Sequence, residues 1–412
     1  MPCRRKLPLS LGGRLMIVPC LCSNKSAGIR RTPNAPGCPD AREAYGLRRL
    51  PPLSVCVYVR WSQRFALRVL PAIAFLTAFA ASGIEGAGRY LKKPDAWFAG
   101  DEARRIAANI LSFQTDLGGW PKNVDTTASP FSGDRKDLKP TFDNSATTDE
   151  LRFLARIFRA VKDDRYLKSF QKGYDYILNA QYPTGGWPQF YPPDKQYHRY
   201  ITFNDDAMVR LMLFLRETYS LPIYDFLDEG RKNRARDEFA NGIRCILKCQ
   251  IKIDGKLTAW CAQHDELDYR PRPGRSYELV SISGGESVGI VRLLMTLERP
   301  TAEQIQAVES AVAWFEAAKL KGIKVVTVDD KNAPKGTDKR VVEDASAPPI
   351  WARFYEIGTN LPIFCDRDGV PKRKLDQIGY ERRNGYRWLT YAPAALLEKD
   401  YPAWKKKLAS KR

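Results

Sequence analysis

Histidine is nearly missing from this chain: His198 and His264 are the two among 412 residues. A histidine-rich zinc site is therefore disfavoured, and a Ser-His-Asp triad has few candidates for its base. Cysteine is sparse too. Of nine, Cys3, Cys20, Cys22, Cys38 and Cys56 fall in the first 59 residues. The other four, Cys245, Cys249, Cys261 and Cys365, do not make a disulfide scaffold. Cys245 and Cys249 stand four apart on one face of an expected helix, and the expectation is small buried hydrophobes. The one pronounced apolar run, Val69–Ala81, is too short for a membrane span of ~20 residues. Alternating β-branched patterns are rare, so a sheet-built fold is not expected.

The chain carries a formal charge of +20, unevenly placed. Residues 1–95 hold 16 Lys/Arg against 4 Asp/Glu; the rest hold 51 against 43. The body is mildly basic, which suits either a polyanionic partner or a solvated mixed surface. Basic runs are lacking before the C-terminal AWKKKLASKR (403–412), which speaks against nucleic acid.

Residues 60–87, RWSQRFALRVLPAIAFLTAFAASGIEGA, have the layout of a secretory signal peptide. Arg60, Arg64 and Arg68 precede the apolar run, and small residues follow it. Because 59 residues come first, the expected true start lies near Val59, with 1–58 a mis-called or disordered extension. The rival reading is a signal anchor with a short cytoplasmic tail.

The strongest internal pattern is a repeat. ILSFQTDLGGWPKN (110–123) and ILNAQYPTGGWPQF (177–190) share Ile-Leu, Gln and Gly-Gly-Trp-Pro at equal offsets, and ILKCQIKIDGKLTAW (246–260) is a worn third copy. A period of 67 and then 69 residues marks repeated supersecondary units. Each unit reads as a helix, a Gly/Pro stop, a polar aromatic loop and a second amphipathic helix: 150–158, 207–217 and 286–297. A further helix is expected over 301–320. The expected fold is all-α dominated, an α/α toroid of helix–loop–helix units with long functional loops and little β; an open solenoid is the alternative.

Equivalent loops open the second helices. TFDNSATTDE (141–150) aligns with ITFNDDAM (201–208), setting Asp143-Asn144 opposite Asn204-Asp205, beside Asp206. Any one of these side chains suits a helix N-cap. A pair of convergent loops carrying acids and amides also suits a hard cation such as calcium.

TFDNSATT, GGWPQFYP, YHRYITFNDDA, TAWCAQHDE, RSYELVSISGGES, WARFYEIGTNLPIFCDRDGV and YERRNGYRWL together resemble the family-ten polysaccharide lyases, bacterial pectate lyases with an α/α toroid. The resemblance runs from about residue 95 to 405 and implies a catalytic domain over 88–412 behind a signal peptide over 59–87. It also implies calcium-assisted β-elimination of polygalacturonate by a secreted or periplasmic, monomeric enzyme. Asp143, Asn144, Asn204, Asp205 and Asp206 would then hold the metal. Lys122, Arg275, Arg353, Arg382 and Arg383 would meet substrate carboxylates, and Trp187, Tyr200 and His264 would line the cleft. The family's base is an arginine. Arg367, between two aspartates in CDRDGV, is the first candidate and Arg275 its rival. Two other readings remain: a toroidal glycoside hydrolase using acids such as Asp265, Glu266 and Glu286, and a non-catalytic binder of acidic glycan.

Overall fold

Each copy of the repeat closes on itself in the same way. The indole N–H of Trp120 donates to the carbonyl of Ile110 at 2.7 Å, Trp187 to Ile177 at 3.0 Å, and Trp260 to Ile246 at 2.7 Å. The conserved-offset glutamines tie each unit to the next. Gln114 donates to Gly118 O and Ser169 O, Gln181 to Gly185 O and Glu238 O, and Gln250 to Thr258 O and Ala307 O, all within 2.7–2.9 Å. Loop carbonyls such as those of Gly118, Gly185 and Thr258 need such donors. Gly118 and Gly185 are required where they stand: φ is +111° and +93°, and a Cβ would come within 2.5 Å of Lys172 O or 2.4 Å of Asn241 O.

The computed structural model describes residues 86–410. The expected extension 1–58 and the expected signal segment up to residue 85 lie outside the described residues. Within them, seven helices carry the repeat units: α1 (Asp101–Ser112), α2 (Thr148–Val161), α3 (Asp164–Asn179), α4 (Ala207–Ser220), α5 (Glu229–Cys249), α6 (Glu286–Met295) and α7 (Ala302–Ala317). Helices α2, α4 and α6 pack side by side as an inner layer. Helices α1, α3, α5 and α7 flank them, α3 on α2, α5 on α4 and α7 on α6. The result is the expected helical toroid. Of the inner helices α6 is apolar nearly all round, with only Arg292 and Met295 escaping burial, whereas α2 is amphipathic and carries Arg152, Arg156 and Arg159 away from its buried face. No helix among the described residues is long and apolar enough to cross a membrane.

Helix starts follow side-chain chemistry. Thr301 and Gln304 form a reciprocal capping box at α7, and Asp163 and Asp228 accept backbone N–H groups at α3 and α5. Sulfur behaves as expected: Cys245, Cys249, Cys261 and Cys365 are buried free thiols, with 4.0 Å between the sulfurs of Cys245 and Cys249.

Strand is scarce among the described residues, as expected, and its two longest runs form one element. Ile323–Asp329 and Thr337–Glu343 form a seven-rung antiparallel hairpin, whereas the other strands are two residues long. Its β-branched run IKVVTV suits a strand, and the pair is backed by the short helix Tyr380–Gly385, which packs on Thr337–Glu343. A satellite core of Ala262, Tyr277, Phe354, Phe364, Ile378 and Trp388 underlies the loops beyond α5.

Candidate active site

The chain reaches each inner helix by bonding back to its tryptophan. Thr141 N donates to Trp120 O at 3.0 Å, Thr202 N to Trp187 O at 3.0 Å, and Ser283 N to Trp260 O at 2.7 Å. Two or three residues later come the turns Asp143–Ser145 and Asn204–Asp206 and the start of α6, and these helix entrances pack together. Asn144 and Asp205, opposite in the repeat, share the left-handed conformation, with φ of +53° and +49°. No side chain caps α2 or α4 at its N-cap. The acids of both loops are therefore not spent on the helix ends.

Asp143 is buried, and both of its neighbours come from the Gly-Gly-Trp-Pro-X slot of the repeat. Lys122 forms an ion pair with Oδ2, and Gln189 donates to the same oxygen at 2.7 Å. Oδ1 is enclosed and has no hydrogen-bond partner. Asp205 accepts from Arg353 at 3.0 Å through Oδ1 and from Asn204 at 2.5 Å through Oδ2. Burial works to raise the Asp205 carboxyl, but the charge and hydrogen bond of Arg353 outweigh it and hold it below its ordinary value.

Cations and tyrosines continue from there. Arg353 is buried, pairs with both Asp205 and Glu286, and lies 4.8 Å from the Tyr386 ring centroid. Arg275 stacks between Tyr386 at 5.6 Å and Tyr277 at 4.9 Å. Its guanidinium binds Glu278 through Nε and Nη2, and Tyr386 OH donates to Glu278 at 2.7 Å. Burial opposes the charge on Arg275, yet Glu278 holds it above the ordinary arginine value. Arg382 and Arg367 reach the Tyr277 ring at 4.6 and 5.9 Å. Arg367 is exposed and doubly bonded to Glu381 at 3.0 Å, so neither Asp366 nor Asp368 is its partner. Tyr197, half-buried, lies within electrostatic reach of Arg275, Glu278 and Asp143.

The site thus assembles Lys122, Asp143, Asn144, Asp205, Arg275, Arg353 and Arg367 from the residues expected on sequence. Five others go elsewhere. Asp206 turns inward between α4 and α6, so close that a Cβ on Gly289 would lie 2.1 Å from its Oδ1. Burial pushes its carboxyl up to about 7, with Arg210 opposing and Glu286 adding to the rise. Asn204 is buried and spends its amide on Asp205. The Oδ1 of Asn204 takes only a long contact, 3.5 Å from Arg353 Nη2. Trp187 is 1% exposed and supports the repeat, so it cannot stack on sugar. His264 is fully enclosed; Nε2 accepts from Cys261 N at 3.0 Å, and Nδ1 therefore donates to Tyr269 O at 2.7 Å. Burial pushes it down to about 4, a neutral structural imidazole. Arg383 is committed to both Asp338 oxygens and to Ile378 O, pinning the hairpin. Tyr200 remains half-buried beside Arg199 and Arg272. Gln189, Tyr197, Tyr277, Glu278 and Tyr386 were not singled out by sequence; only Gln189 carried a signal, as the repeat partner of Lys122.

A hard cation fits this donor set in part. Asp143 Oδ1, the exposed Asn144 amide and the half-exposed Asp205 are oxygen ligands of the right kind. Among the described residues no group of three or more His, Cys, Asp or Glu side chains encloses a metal position. A cation here would complete its shell from substrate and water.

The pectic acid lyase family model matches residues 114–397 of the chain. The chain belongs to the pectic acid lyase family. Among solved structures it is similar to the Family 10 polysaccharide lyase from Cellvibrio cellulosa, at 35% identity and a TM-score of 0.65, with 77% of this chain and 95% of that one covered. An alanine mutant of that enzyme in complex with trigalacturonic acid is similar at the same identity and TM-score, with 77% and 96% covered. No curated protein matches in sequence. This chain is a polysaccharide lyase. The acids that a toroidal hydrolase would need are held by arginines instead: Asp265 by Arg272, Glu266 by Arg199 and Glu286 by Arg353.

Proposed function

We propose that the protein is a calcium-dependent pectate lyase that cleaves polygalacturonate by β-elimination, acting outside the cytoplasm as a secreted or periplasmic enzyme. The observation that carries the reading is the meeting of two repeat-equivalent acid loops with Arg353, Arg275 and Arg367 in one site. The trisaccharide bound by the Cellvibrio cellulosa mutant supports the substrate class.

The chemistry asks for three things. A galacturonate C5 proton must be removed, the charge that spreads onto the C6 carboxylate must be stabilised, and the C4–O4 bond must break as the C4–C5 double bond forms. O4 leaves with a proton returned from the base or solvent, and no water is consumed. Asp143, Asn144 and Asp205 would hold the calcium, which when bound supplies Lewis-acid stabilisation of the substrate carboxylate. Arg353 and Arg367 supply fixed positive charge at the developing enolate.

Of the two arginines that the sequence offers as base, Arg367 and Arg275, we propose Arg275. Arg275 is half-exposed, sits at the centre of the tyrosine–arginine cluster, and acts electrostatically on Asp205 and Tyr197. Arg367 stands at the exposed rim, tied to Glu381. Glu278 keeps Arg275 protonated as the site stands, so proton abstraction requires the surrounding positive field to outweigh that carboxylate. Arg275→Lys should lower release of unsaturated product from polygalacturonate by about 10²–10⁴-fold, the range for a lost general base. Arg367→Lys should cost less than about tenfold, mainly in KM. The opposite ranking returns the base to Arg367, and a saturated product would defeat the lyase reading itself.

A further inference from the structure

We infer that Lys122 is a built-in counterion for Asp143 that calcium must displace, and that Gln189 is the positioning residue that keeps the carboxylate aimed while the exchange occurs. The inference rests on the proposed calcium role of Asp143 and extends it to two residues supplied by the repeat.

Asp143 is 3% exposed, and a buried carboxylate without a counter-charge is costly. Its two oxygens are treated unequally. Oδ2 takes both the Lys122 ammonium and the Gln189 amide at 2.7 Å, whereas Oδ1 takes nothing although it is enclosed. An ammonium and a metal ion are alternative ways of neutralising one carboxylate. The lysine is the exchangeable one. Its side chain is 26% exposed on a flexible stem, and its ammonium also lies 5.5 Å from the Phe190 ring centroid, a second resting place for a cation. Gln189 is the fixed one. It is buried, and its backbone is pinned twice, by its N–H to His198 O at 2.8 Å and by its carbonyl accepting Phe142 N at 3.1 Å. Lys122 and Gln189 fill the same slot after Gly-Gly-Trp-Pro in successive units. The repeat has thus placed one mobile cation and one rigid donor on a single acid. A lysine released by calcium is then free for a substrate carboxylate, which couples metal loading to substrate capture.

The test is calcium binding to the full chain without substrate, by isothermal titration calorimetry, alongside thermal unfolding with and without calcium. Lys122→Met and Lys122→Gln should bind calcium about tenfold more tightly than the parent, because the competing cation is gone. Their melting temperatures should fall without calcium and recover when it is added. Gln189→Leu should bind calcium more weakly. Unchanged or weaker calcium binding in both Lys122 variants, or a loss of stability that calcium does not repair, overturns the inference. Asp143→Asn separates the two levels. If the parent binds calcium and Asp143→Asn does not, the site reading stands whatever the lysine variants do. If the parent shows no binding without substrate, the inference fails, and the loss or survival of cleavage under chelation decides the calcium reading separately.

Discussion

Glu150 shows how a single residue sets a pH response in this fold. It lies on the first turn of α2, 5% exposed, with Oε1 accepting from Thr126 at 2.9 Å and Oε2 unpartnered. Burial pushes its carboxyl up to about 7 from an ordinary 4.5, and Asp149 adds to the rise. The folded chain therefore holds a proton that the unfolded chain releases between these values. Stability falls as pH rises through that window, by up to about 3 kcal/mol. Glu150→Gln should raise the calorimetric melting temperature at pH 8 and lose that advantage towards pH 4.5; a constant gain across pH would contradict this. The same burial explains what sequence reading missed among residues. His264, Trp187 and Asp206 have the composition of site residues but face the interior, and a one-dimensional pattern does not report which way a side chain turns. Arg383 and Arg382 are adjacent, yet one holds Asp338 and the other reaches Tyr277.

At the scale of elements, the repeat was the most legible feature because it is built from local spacing. Ile-Leu, Gln and Trp at constant offsets have a constant job: the tryptophan returns to its own helix and the glutamine crosses to the next one. Gln250→Ala would strip donors from Thr258 O and Ala307 O, both held by that one amide. The expected loss is about 2–3 kcal/mol, seen as a lower urea midpoint with the slope unchanged. A loss below ~0.5 kcal/mol would show that the glutamine bridge is incidental. The convergence of the acid loops was legible for the same reason, since equivalent turns enter adjacent inner helices. The arginine–tyrosine half of the site was not. Arg275, Arg353, Arg367 and Tyr386 come from segments that share no repeated motif, brought together over the satellite core by contacts such as Arg275 with Tyr386 and Arg367 with Tyr277, far apart in sequence. The hairpin Ile323–Asp329 with Thr337–Glu343 was passed over because a single alternating run is a weak signal in a chain dominated by helical periodicity.

Across the whole molecule, acids and arginines divide the labour by layer. The entrances of α2 and α4 bring carboxylates with no capping duty, and the loops after α5 bring positive charge across from them. The acids suit a cation, the arginines suit an anionic polymer, and a substrate carboxylate bound between them would satisfy both. The mildly basic body of the chain favours the same polyanionic partner. The account stands or falls on whether cleavage requires the cation that these loops are arranged to hold. Polygalacturonate should be treated with the purified protein, with the protein plus a calcium chelator, and with chelated protein resupplied with calcium, while absorbance from the unsaturated uronate end is followed. The account predicts steady product formation, its loss by at least about 10²-fold on chelation, and its return with calcium. Unsaturated product formed at an undiminished rate in the presence of chelator would contradict it.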